Sequence, residues 1–451
     1  MGFDLGGIII EFLDLTKWFW VFFILWPLFK STWIGWRQFE YEHSSQFRQN
    51  MFEIRIPREI RKSPRAMEQV LMALHSLRNV AGDFEEIWKD GEITKWFTLE
   101  ICSFGGEIRF FIRYYYKQRP LVEAAFFSYY PDVELVEVDD YMEDLPKDMD
   151  EVYAKGLSIW GAEMVLRKEE AYPIRTYPLF EAPDEERQYD PISLTLEVLG
   201  KAKKEEFIGV QFLISPASDC WQDEWKGLVE HLKEQSGKKQ GAAAKPKTKT
   251  EFPGGILPAF HVESPKEDPL ASLRVTRTPG ETNVLEAMEN NLSKPAFETV
   301  ARFIYLSPSP LFYDSFARRG IAGMFNQYAA QDLNSFKRND EVSTRVRPWN
   351  WPHVFWNIRA EYRKSGLLWQ YRHRLMPFHT FMAKLITSHW FYWNFNSKTI
   401  TLNVEAIATL FHPPTFLVLT APHIRRVESR KTGPPAGLAI YGNEKDIERF
   451  Q

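Results

Sequence analysis

The residues that most often carry chemistry are few in this chain and stand far apart. None of its ten histidines belongs to an H-E-x-x-H pattern, and its two cysteines form no C-x-x-C pair. His373 and His379 lie six residues apart, and His412 and His423 lie eleven apart, which is typical of no metal site. We therefore expect each histidine to have a structural or surface role. An active site assembled from distant residues would leave no local trace of this kind.

Motifs for phosphate binding and for nucleophilic catalysis are also missing. No G-x-x-x-x-G-K-[ST] loop occurs, since SGKKQ at 236–240 lacks both the first glycine and the Ser/Thr. Gly6-Gly7 and Gly105-Gly106 belong to no dinucleotide fingerprint, and no G-x-S-x-G elbow is present. The sequence therefore predicts no catalytic residue, no cofactor and no metal, and favours a protein that is not an enzyme. An enzyme of an unrecognised class is a third hypothesis beside the two developed below.

An acid-rich segment runs from Asp132 to Glu151, where ten of twenty residues are Asp or Glu. Carboxylates bind calcium only where a tight loop makes them converge, and no EF-hand spacing occurs here. We predict a solvated loop that follows an edge strand.

A basic and aromatic segment lies between Lys337 and Arg374, with nine Lys or Arg residues against three Asp or Glu. Four tryptophans are interleaved with these charges. Such a mixture can stack bases and hold phosphates, pack at a subunit interface, or lie against lipid headgroups, and the sequence leaves all three open. We expect a face here for a partner protein or a nucleic acid. That face comprises Arg345, Arg347, Arg359 and Arg363.

Near the N-terminus, a hydrophobic segment with tryptophan at both ends predicts a membrane anchor. Its uninterrupted apolar run, Trp18–Phe29, has 12 residues, fewer than the roughly 20 that span a bilayer. Lys30 can snorkel towards the headgroups, so we place a transmembrane helix at about Lys17–Gly35. A buried core helix and a helix lying in the membrane interface are the alternatives. The predicted anchor residues are Trp18, Trp20, Phe22, Phe23, Leu25, Trp26, Trp33 and Trp36.

The charges on either side of this segment predict its orientation. Acidic residues precede it, whereas basic residues, among them Arg37 and Arg48, follow it. The positive-inside tendency then places the N-terminus outside and residues 37–451 in the cytoplasm, in a single-pass protein of the cell membrane. The two lone cysteines, Cys102 and Cys220, fit a reducing compartment, where thiols behave as small hydrophobes. A secretory signal peptide fits poorly, because the N-terminal region is acidic and no small-residue cleavage site follows.

Length and composition bound the number of domains and the class of protein. At 451 residues the chain fits about two or three domains. Its net charge of -4 excludes a uniformly basic nucleic-acid-binding protein, although a local basic patch remains compatible with it. We expect an α+β protein with an N-terminal segment that includes the transmembrane helix (1–36), a first module (50–142), a second module (172–335) with a flexible linker (237–276), and an aromatic and basic C-terminal region (336–451).

The first module shows the order strand, helix, strand, strand, helix, strand. Phe52–Pro57 alternates like a strand, and Ser63-Pro64 opens a helix with apolar residues at helical spacing. Two alternating runs flank Gly105-Gly106, which indicates a hairpin. This order is that of a ferredoxin-like β-α-β-β-α-β unit. The predicted core is Met67, Leu74, Phe97 and Phe110, and the helix Pro120–Tyr130 turns Leu121, Val122, Ala125, Phe126 and Tyr129 inward.

The second module is predicted less clearly, and a linker divides it into two halves. Between the halves, the sequence is rich in Gly, Lys and Ala without periodicity, which indicates the linker. We expect the strands of the two halves to pair in one sheet. The predicted elements are a helix after Asp190-Pro191, a strand Phe207–Ser215, a helix Trp221–Leu232, a helix Glu281–Asn291, a strand Phe297–Leu306, a long helix Pro310–Gln331, a hairpin of Trp390–Phe395 with Thr399–Leu402, and a short helix capped by Asn403.

Several stretches of the sequence, taken together, resemble one known family. They are PREIRKSPRAMEQVLMALHSL, WFTLEICSFGGEIRFFIR, LVEAAFFSYYPDVELVEVDDY, YPLFEAPDEERQYDPIS, LNVEAIATLFHPP and IRRVESRKTGPPAGL. Over residues 15–440 the chain is similar to the N-terminal, membrane-proximal region of large bacterial ATPases of the type IV secretion or conjugative coupling-like kind, met mostly in candidate-phyla bacteria. In those relatives a HerA-like P-loop ATPase domain follows the last stretch, whereas this chain ends shortly afterwards, at Gln451.

The resemblance implies a protein that corresponds to the membrane-proximal part of such an ATPase without the ATPase domain. We expect a non-catalytic, membrane-anchored subunit of a type IV secretion or conjugation-like transfer apparatus, which forms a homo-oligomer and docks a separate P-loop ATPase. Because the Walker motifs are absent, the family's nucleotide-binding residues carry over to no position here. The alternative is a membrane-tethered protein that binds DNA directly.

Overall fold

The chain begins with a long helix, α1 (Leu5–Glu42), which includes Pro27. The structure, a computed structural model, describes residues 5–44, 47–57, 62–181, 189–218, 220–242, 279–349, 353–377, 395–415 and 426–427. Among these described residues, no helix combines the length and the apolar character that crossing a membrane requires. The segment Lys17–Gly35 is therefore helical as predicted, but its prediction as a transmembrane helix has no support from the fold.

The predicted order of elements in the first module is confirmed. Strand β4 pairs with β1, β1 with β3, and β3 with β2, and all three pairs are antiparallel. Gly105 and Gly106 form the β2–β3 turn with φ angles of 60° and 93°, a conformation that disfavours any side chain. The elements are β1 (Gln49–Pro57), α2 (Arg65–His75), β2 (Phe97–Phe104), β3 (Glu107–Tyr115), α3 (Arg119–Tyr129) and β4 (Glu134–Val138).

Later strands extend this sheet to ten strands within the described residues. They are β5 (Leu157–Leu166), β6 (Phe207–Pro216), β7 (Ala296–Pro308), β8 (Phe336–Arg338), β9 (Ile400–Asn403) and β10 (Arg426–Val427). The order is β10-β1-β3-β2-β6-β7-β5-β8, with β4 also on β1 and β9 also on β7. Only the β1–β10 pair of these described strands is parallel. The β2–β6 pairing joins the strands of both predicted modules, and the β6–β7 pairing confirms that the two halves around the linker share one sheet.

Among the predicted helices of the second module, one does not form. The long helix predicted at Pro310–Gln331 is wrong: a π-helical turn (Phe316–Ile321), a three-residue helix and a 3-10 turn (Phe325–Tyr328) occupy it. Gly320 and Gly323 lie in this stretch, and glycine destabilises a helix interior. The other helices are α4 (Met149–Ala154), α5 (Ser193–Gly200), α6 (Asp223–Ala242), α7 (Pro279–Leu292), α8 (Ala322–Met324), α9 (Trp356–His373) and α10 (Val404–Leu410).

Three smaller predictions have different outcomes. Leu121 is 52% exposed, so its inward placement is wrong: Val122, one residue further round the helix, is the one that packs inside. Asn403 caps α10 as predicted, since its side chain accepts a hydrogen bond from the backbone N–H of Ala406 (2.7 Å). Helix α6 extends into the predicted linker, whose further residues up to 276 lie outside the described chain, as does most of Trp390–Phe395.

The sheet has two faces, and different elements cover them. On the first face, α2, α3, α5 and α10 pack against alternate apolar residues of the central strands. On the second face lie α4, α9 and the segment around Tyr141 and Met142. The predicted core residues belong to the first face and are all 1% exposed or less: Met67, Leu74, Phe97 and Phe110.

Candidate functional site

A row of four polar side chains crosses the second face of the sheet, and we call it the polar row. Its members are direct partners in adjacent strands: Glu100 of β2 faces Gln211 of β6, which faces Arg302 of β7, which faces Glu163 of β5. All four are 0% exposed. Gln211 donates a hydrogen bond to Glu100 (Nε2–Oε1, 3.0 Å), and Arg302 donates one to Glu163 (Nη2–Oε1, 3.2 Å).

The C-terminal end of α9 lies on the polar row and accepts hydrogen bonds from it. Arg302 donates to the carbonyl oxygens of Gln370 (2.8 Å) and Leu375 (3.0 Å), and Gln211 donates to that of Tyr371 (3.2 Å). The last carbonyls of a helix lack partners within the helix, and positive charge is favoured beside them. Side chains of the polar row therefore provide hydrogen-bond donors for the backbone carbonyl groups at the end of α9.

Two glycines of the sheet allow α9 to come this close. A Cβ atom on Gly161 would lie 2.5 Å from Cδ2 of Leu367, and one on Gly209 would lie 1.9 Å from the hydroxyl oxygen of Tyr371. Both distances are far below van der Waals contact. The close packing of α9 on the sheet therefore requires glycine at these two positions.

Arg374, just beyond α9, joins the polar row to the acid-rich segment. It has a left-handed backbone conformation (φ 53°) and a fully buried guanidinium. Nε donates to Oε1 of Glu100 (2.8 Å), and Nη2 donates to Oδ1 of Asp140 (2.9 Å). Burial opposes the charge of Arg374, but Glu100 and Tyr141 outweigh it and raise the pKa of Arg374 well above its usual value.

Asp140 is an exception within the acid-rich segment 132–151, since eight of the ten acidic residues there are exposed, as the prediction of a solvated loop requires. Burial would raise the pKa of Asp140, but Arg374 outweighs burial and lowers it, so the carboxylate stays charged beside the arginine. Tyr141 and Met142 next to it are buried as well. Within the described residues, no three His, Cys, Asp or Glu side chains converge as metal ligands.

Two tyrosines and a cysteine complete the buried cluster. The hydroxyl of Tyr141 donates to Oε2 of Glu100 (2.6 Å) and lies 3.0 Å from that of Tyr371, which is 3.9 Å from Sγ of Cys102. Burial and the charge of Glu100 raise the pKa of the Cys102 thiol, so it stays protonated and is a poor nucleophile. The cluster is therefore suited to holding α9 in place rather than to attacking a substrate.

A cleft of about 270 Å³ opens beside Arg374, and we call it the Arg113 cleft. It is enclosed by the ends of α1, β1 and β2, by β3, by the segment after β4 and by the end of α9. Within the described residues, the guanidinium of Arg113 makes no hydrogen bond or ion pair. The buried amide nitrogen of Gln49 also has no hydrogen-bond partner. Other lining residues are Glu42, His43, Trp96, Asp140, Arg372 and His373.

A second cleft of about 520 Å³ lies on the other side of Trp96 and shares Glu42 with the first. Burial raises the pKa of Glu42 to about 7, although His43 and Arg113 partly offset that effect. Glu92 and Glu298 also line this cleft, with Arg78 as a positive residue.

The four arginines predicted to form one face do not lie together on the surface. Arg359 and Arg363 are buried, at 2% and 3% exposure, and Arg363 donates to the carbonyl oxygens of Asp340 and Ser343. Arg345 is exposed and paired with Asp314, and Arg347 lies over the ring of Trp349 (4.7 Å). The buried pair faces inward because α9 turns that side towards the body of the protein.

The predicted anchor residues lie on α1, and most of the described side chains are strongly exposed. Phe22, Phe23, Leu25, Trp26, Trp33 and Trp36 have exposed fractions from 43% to 64%. Trp18 and Trp20 lie in the same helix, but their side chains are outside the described set. The far half of α1 is attached to the body: Trp33 donates from Nε1 to the carbonyl oxygen of Trp88 (2.8 Å).

Sequence reasoning missed the polar row, helix α9 and strand β5. A signal for the row was present, since Glu100, Gln211, Arg302 and Glu163 are polar residues in the middle of otherwise apolar strands. The alternation of polar and apolar residues along a strand would place these residues on a solvent-facing side of the sheet. The packing of α9 against that side is what buries them.

A family model described as "Domain of unknown function (DUF8128)" matches residues 38–345, more than half of the chain. The chain therefore belongs to the DUF8128 family. No curated protein matches it.

Proposed function

We propose that this DUF8128 protein is a non-catalytic, membrane-anchored assembly subunit of a type IV secretion or conjugation-like apparatus, and that it docks a separate P-loop ATPase. In this proposal, residues 50–142 act as a ferredoxin-like module and residues 172–335 as a second α+β module, and the two share one sheet. The observation that carries the membrane anchor is the exposed aromatic surface of α1, whose C-terminal half is hydrogen-bonded to the rest of the protein.

The aromatic surface of α1 surrounds the helix rather than forming one stripe. Consecutive residues Val21, Phe22 and Phe23 are 41–57% exposed, and Phe19 and Phe29 are similar. Burying one large apolar side chain stabilises by about 1.5–3 kcal/mol, so several exposed together favour an apolar surrounding. A bilayer provides that surrounding on all sides, either as a tilted span or in the membrane interface.

The attachment of α1 directs this surface away from the sheet. Trp26 stacks on Trp88 (ring centroids 6.2 Å apart), and Nε of Arg37 donates to the carbonyl oxygen of Lys89 (2.6 Å). Gly91 comes so close that a Cβ there would lie 2.4 Å from the carbonyl carbon of Arg37. In this proposal the N-terminus is outside the cell, and the body stands in the cytoplasm at a fixed angle to the membrane.

Membrane fractionation of cells that express the full chain tests the anchor. We expect the chain in the membrane fraction, and we expect a variant with Phe19, Phe22, Phe23 and Phe29 changed to Ser to move largely to the soluble fraction. Alkaline carbonate washing separates a span, which resists it, from an interface helix, which does not. Equal distribution of the chain and the α1 variant would refute the anchor. The control variant changes four exposed residues elsewhere, Leu179, Tyr189, Leu311 and Tyr313, to Ser.

The ATPase contact is assigned to the exposed part of the basic and aromatic region, around Arg345, Arg347 and Trp349. Purification of the full chain from native membranes in mild detergent, followed by mass spectrometry, tests it. We expect a P-loop ATPase to co-purify with the chain as a homo-oligomer, and Arg345→Glu with Arg347→Glu to reduce that recovery several-fold. The exposed pair Arg319→Glu and Lys337→Glu is the control. Repeated absence of any P-loop ATPase would end this part of the proposal.

The alternative, direct DNA binding, is supported by one observation. Arg347 over the exposed Trp349 combines a cation with a stacking surface, as single-strand binding sites do. Binding through phosphates would weaken steeply as salt increases and would fall at every sequence when Arg345 and Arg347 become Ala. Absence of binding at low salt would exclude it.

A further inference from the structure

The Arg113 cleft contains hydrogen-bond donors that the protein itself leaves unused. Arginine carries five N–H donors and no acceptor, and those of Arg113 have no partner within the described residues. The buried Nε2 of Gln49 is a second donor without a partner. Gln49 and Arg113 are diagonal neighbours on adjacent strands, because Gln49 pairs with Tyr115 and Met51 with Arg113.

We propose that the Arg113 cleft is a binding site for a small phosphate-type oxyanion, held by the guanidinium of Arg113 and the side-chain amide of Gln49. A buried donor that lacks an acceptor is unfavourable, and a tetrahedral oxyanion provides several acceptors at once. The terminal torsion of glutamine is broad, so the amide of Gln49 can turn towards the cleft. This site is independent of the membrane and ATPase contacts proposed above.

The neighbouring charges favour an anion over a cation. His43 and His373 each use Nδ1 to contact a carbonyl oxygen of their own helix (both 2.9 Å), which leaves Nε2 of each ring as the second nitrogen. Arg372 also lines the cleft, and its Nη1 donates to the carbonyl oxygen of Met142 rather than to a carboxylate. Asp140, a half-buried carboxylate of the cleft, is paired with Arg374.

Two further carboxylates line the cleft and limit its affinity. Glu143 is exposed, and Glu42 has a pKa raised to about 7 by burial. Protonation of Glu42 below pH 7 removes a negative charge from the wall of the cleft. We therefore expect sulfate, whose own charge does not change in this range, to bind more tightly at pH 6 than at pH 8.

The size of the cleft restricts the ligand. A volume of about 270 Å³ lies below the range of roughly 300–1,000 Å³ of pockets that hold drug-sized molecules. It accommodates a phosphate group with a small substituent rather than a whole nucleotide. Either a soluble phosphate compound or the headgroup of a phospholipid presents this chemistry, since Glu42 and His43 lie at the end of α1.

Without a bound anion, the buried charge of Arg113 is unfavourable for the folded protein. Burial and the nearby charge of Arg374 lower the pKa of Arg113 to about 10. Replacing Arg113 with an uncharged residue of similar length should therefore raise the melting temperature in the absence of anion and abolish the response to anion. A residue with a purely structural role would show the opposite sign in the first measurement.

Thermal unfolding of the full chain in detergent micelles, titrated with inorganic phosphate at fixed ionic strength, tests the proposal. We expect a saturable rise in melting temperature, with an affinity at least tenfold weaker for Arg113→Gln and several-fold weaker for Gln49→Leu. Arg109→Gln is the matched control, because Arg109 lies on the same face of β3 but is paired with Glu107. Sulfate should compete with phosphate, and chloride should not.

Two results would overturn the proposal. One is no saturable response of the unchanged protein to phosphate, together with equal stability in phosphatidylglycerol and phosphatidylcholine discs. The other is an equal response of Arg113→Gln and the unchanged protein, together with a lower melting temperature of Arg113→Gln in phosphate-free buffer. The second outcome would mean that Arg113 pairs with Glu42 as part of the framework.

Two arms of the experiment identify the source of the phosphate. Glycerol phosphate is added to the protein in micelles, and the protein is separately placed in bilayer discs of phosphatidylglycerol or of phosphatidylcholine. A soluble ligand predicts a response to glycerol phosphate that Arg113→Gln removes. A headgroup predicts stabilisation in phosphatidylglycerol discs that Arg113→Gln removes, with little response to glycerol phosphate. A response in neither arm would overturn the proposal.

Discussion

The two faces of the sheet are built from the same strands but are held by different forces. On the first face, α2, α3, α5 and α10 cover alternating apolar side chains. On the second face, α9 lies on the polar row and its end is bonded to arginine and glutamine side chains below it. Apolar packing tolerates sliding and repacking, whereas a hydrogen-bonded row of charges specifies one position. The polar row therefore fixes the position of α9 on the second face, in addition to the apolar contacts that α9 makes there.

Arg374→Met should break the second face most severely. It removes the cation between Glu100 and Asp140 and leaves Glu100 buried without its main counter-charge. We expect a loss of about 4–5 kcal/mol in the free energy of unfolding, near the top of the range for breaking a buried pair. Urea unfolding measures it. Arg345→Met, which breaks the exposed pair with Asp314, should cost less than about 1 kcal/mol. Equal effects would contradict a special role for the buried pair.

Leu74→Ala tests the first face by the same measurement. Leu74 is fully buried in the apolar core, so the change removes buried methyl groups and leaves a cavity. We expect a loss of about 3–4 kcal/mol. Met72→Ala, on the exposed side of the same helix, should cost far less. A loss at Leu74 larger than that at Arg374 would reverse the ranking of single contacts on the two faces.

Gly209→Ala tests the close packing of α9 on the sheet without changing any charge. The new methyl group would overlap the hydroxyl of Tyr371, so α9 or that side chain must shift. We expect a loss of about 2–3 kcal/mol, at the upper end for overpacking. Gly227→Ala in α6 is the matched control, because no atom lies within 4 Å of its new Cβ, and it should be neutral or stabilising. No difference between the two variants would mean that α9 is loosely seated.

The first-face side of the fold has a buried carboxylate of its own, Asp190, and acid pH tests it. Burial opposes its charge, but His412 and Thr415 outweigh burial and lower the pKa of Asp190 to about 2. A lowered carboxyl pKa stabilises the fold above the unfolded pKa of about 3.9, and the effect is lost as pH falls through 2.

The predicted loss for Asp190 is about 2 kcal/mol between pH 4 and pH 2. In Asp190→Asn this part of the pH dependence should disappear, whereas exposed Asp144→Asn should leave it unchanged. Unfolding free energies of the protein and both variants, measured between pH 4 and pH 2, test this prediction. Parallel curves for the protein and Asp190→Asn would show that Asp190 adds nothing to acid sensitivity.

Prediction from the sequence succeeded where local pattern and burial agree. The period of two in β1 to β3, the helical spacing of Met67 and Leu74, and the cap at Asn403 each specify a local structure that the fold keeps. It failed where a distant element changes the environment. Arg359 and Arg363 are charged residues of a type usually found on the surface, yet the packing of α9 buries them. Asp140 belongs to an acidic loop, yet it pairs with the buried Arg374.

By itself, the sequence determined the α+β class, the order of elements in the first module, the apolar core of the first face and the aromatic character of α1. These properties follow from side-chain spacing within one element, which folding does not alter. Only the tertiary structure decided that β2 and β6 join the modules in one sheet, that four polar residues on separate strands form a row, and that Arg113 and Gln49 meet at one cleft. These residues are far apart along the chain, and the pairing of distant strands, which no pattern within one strand specifies, brings them together.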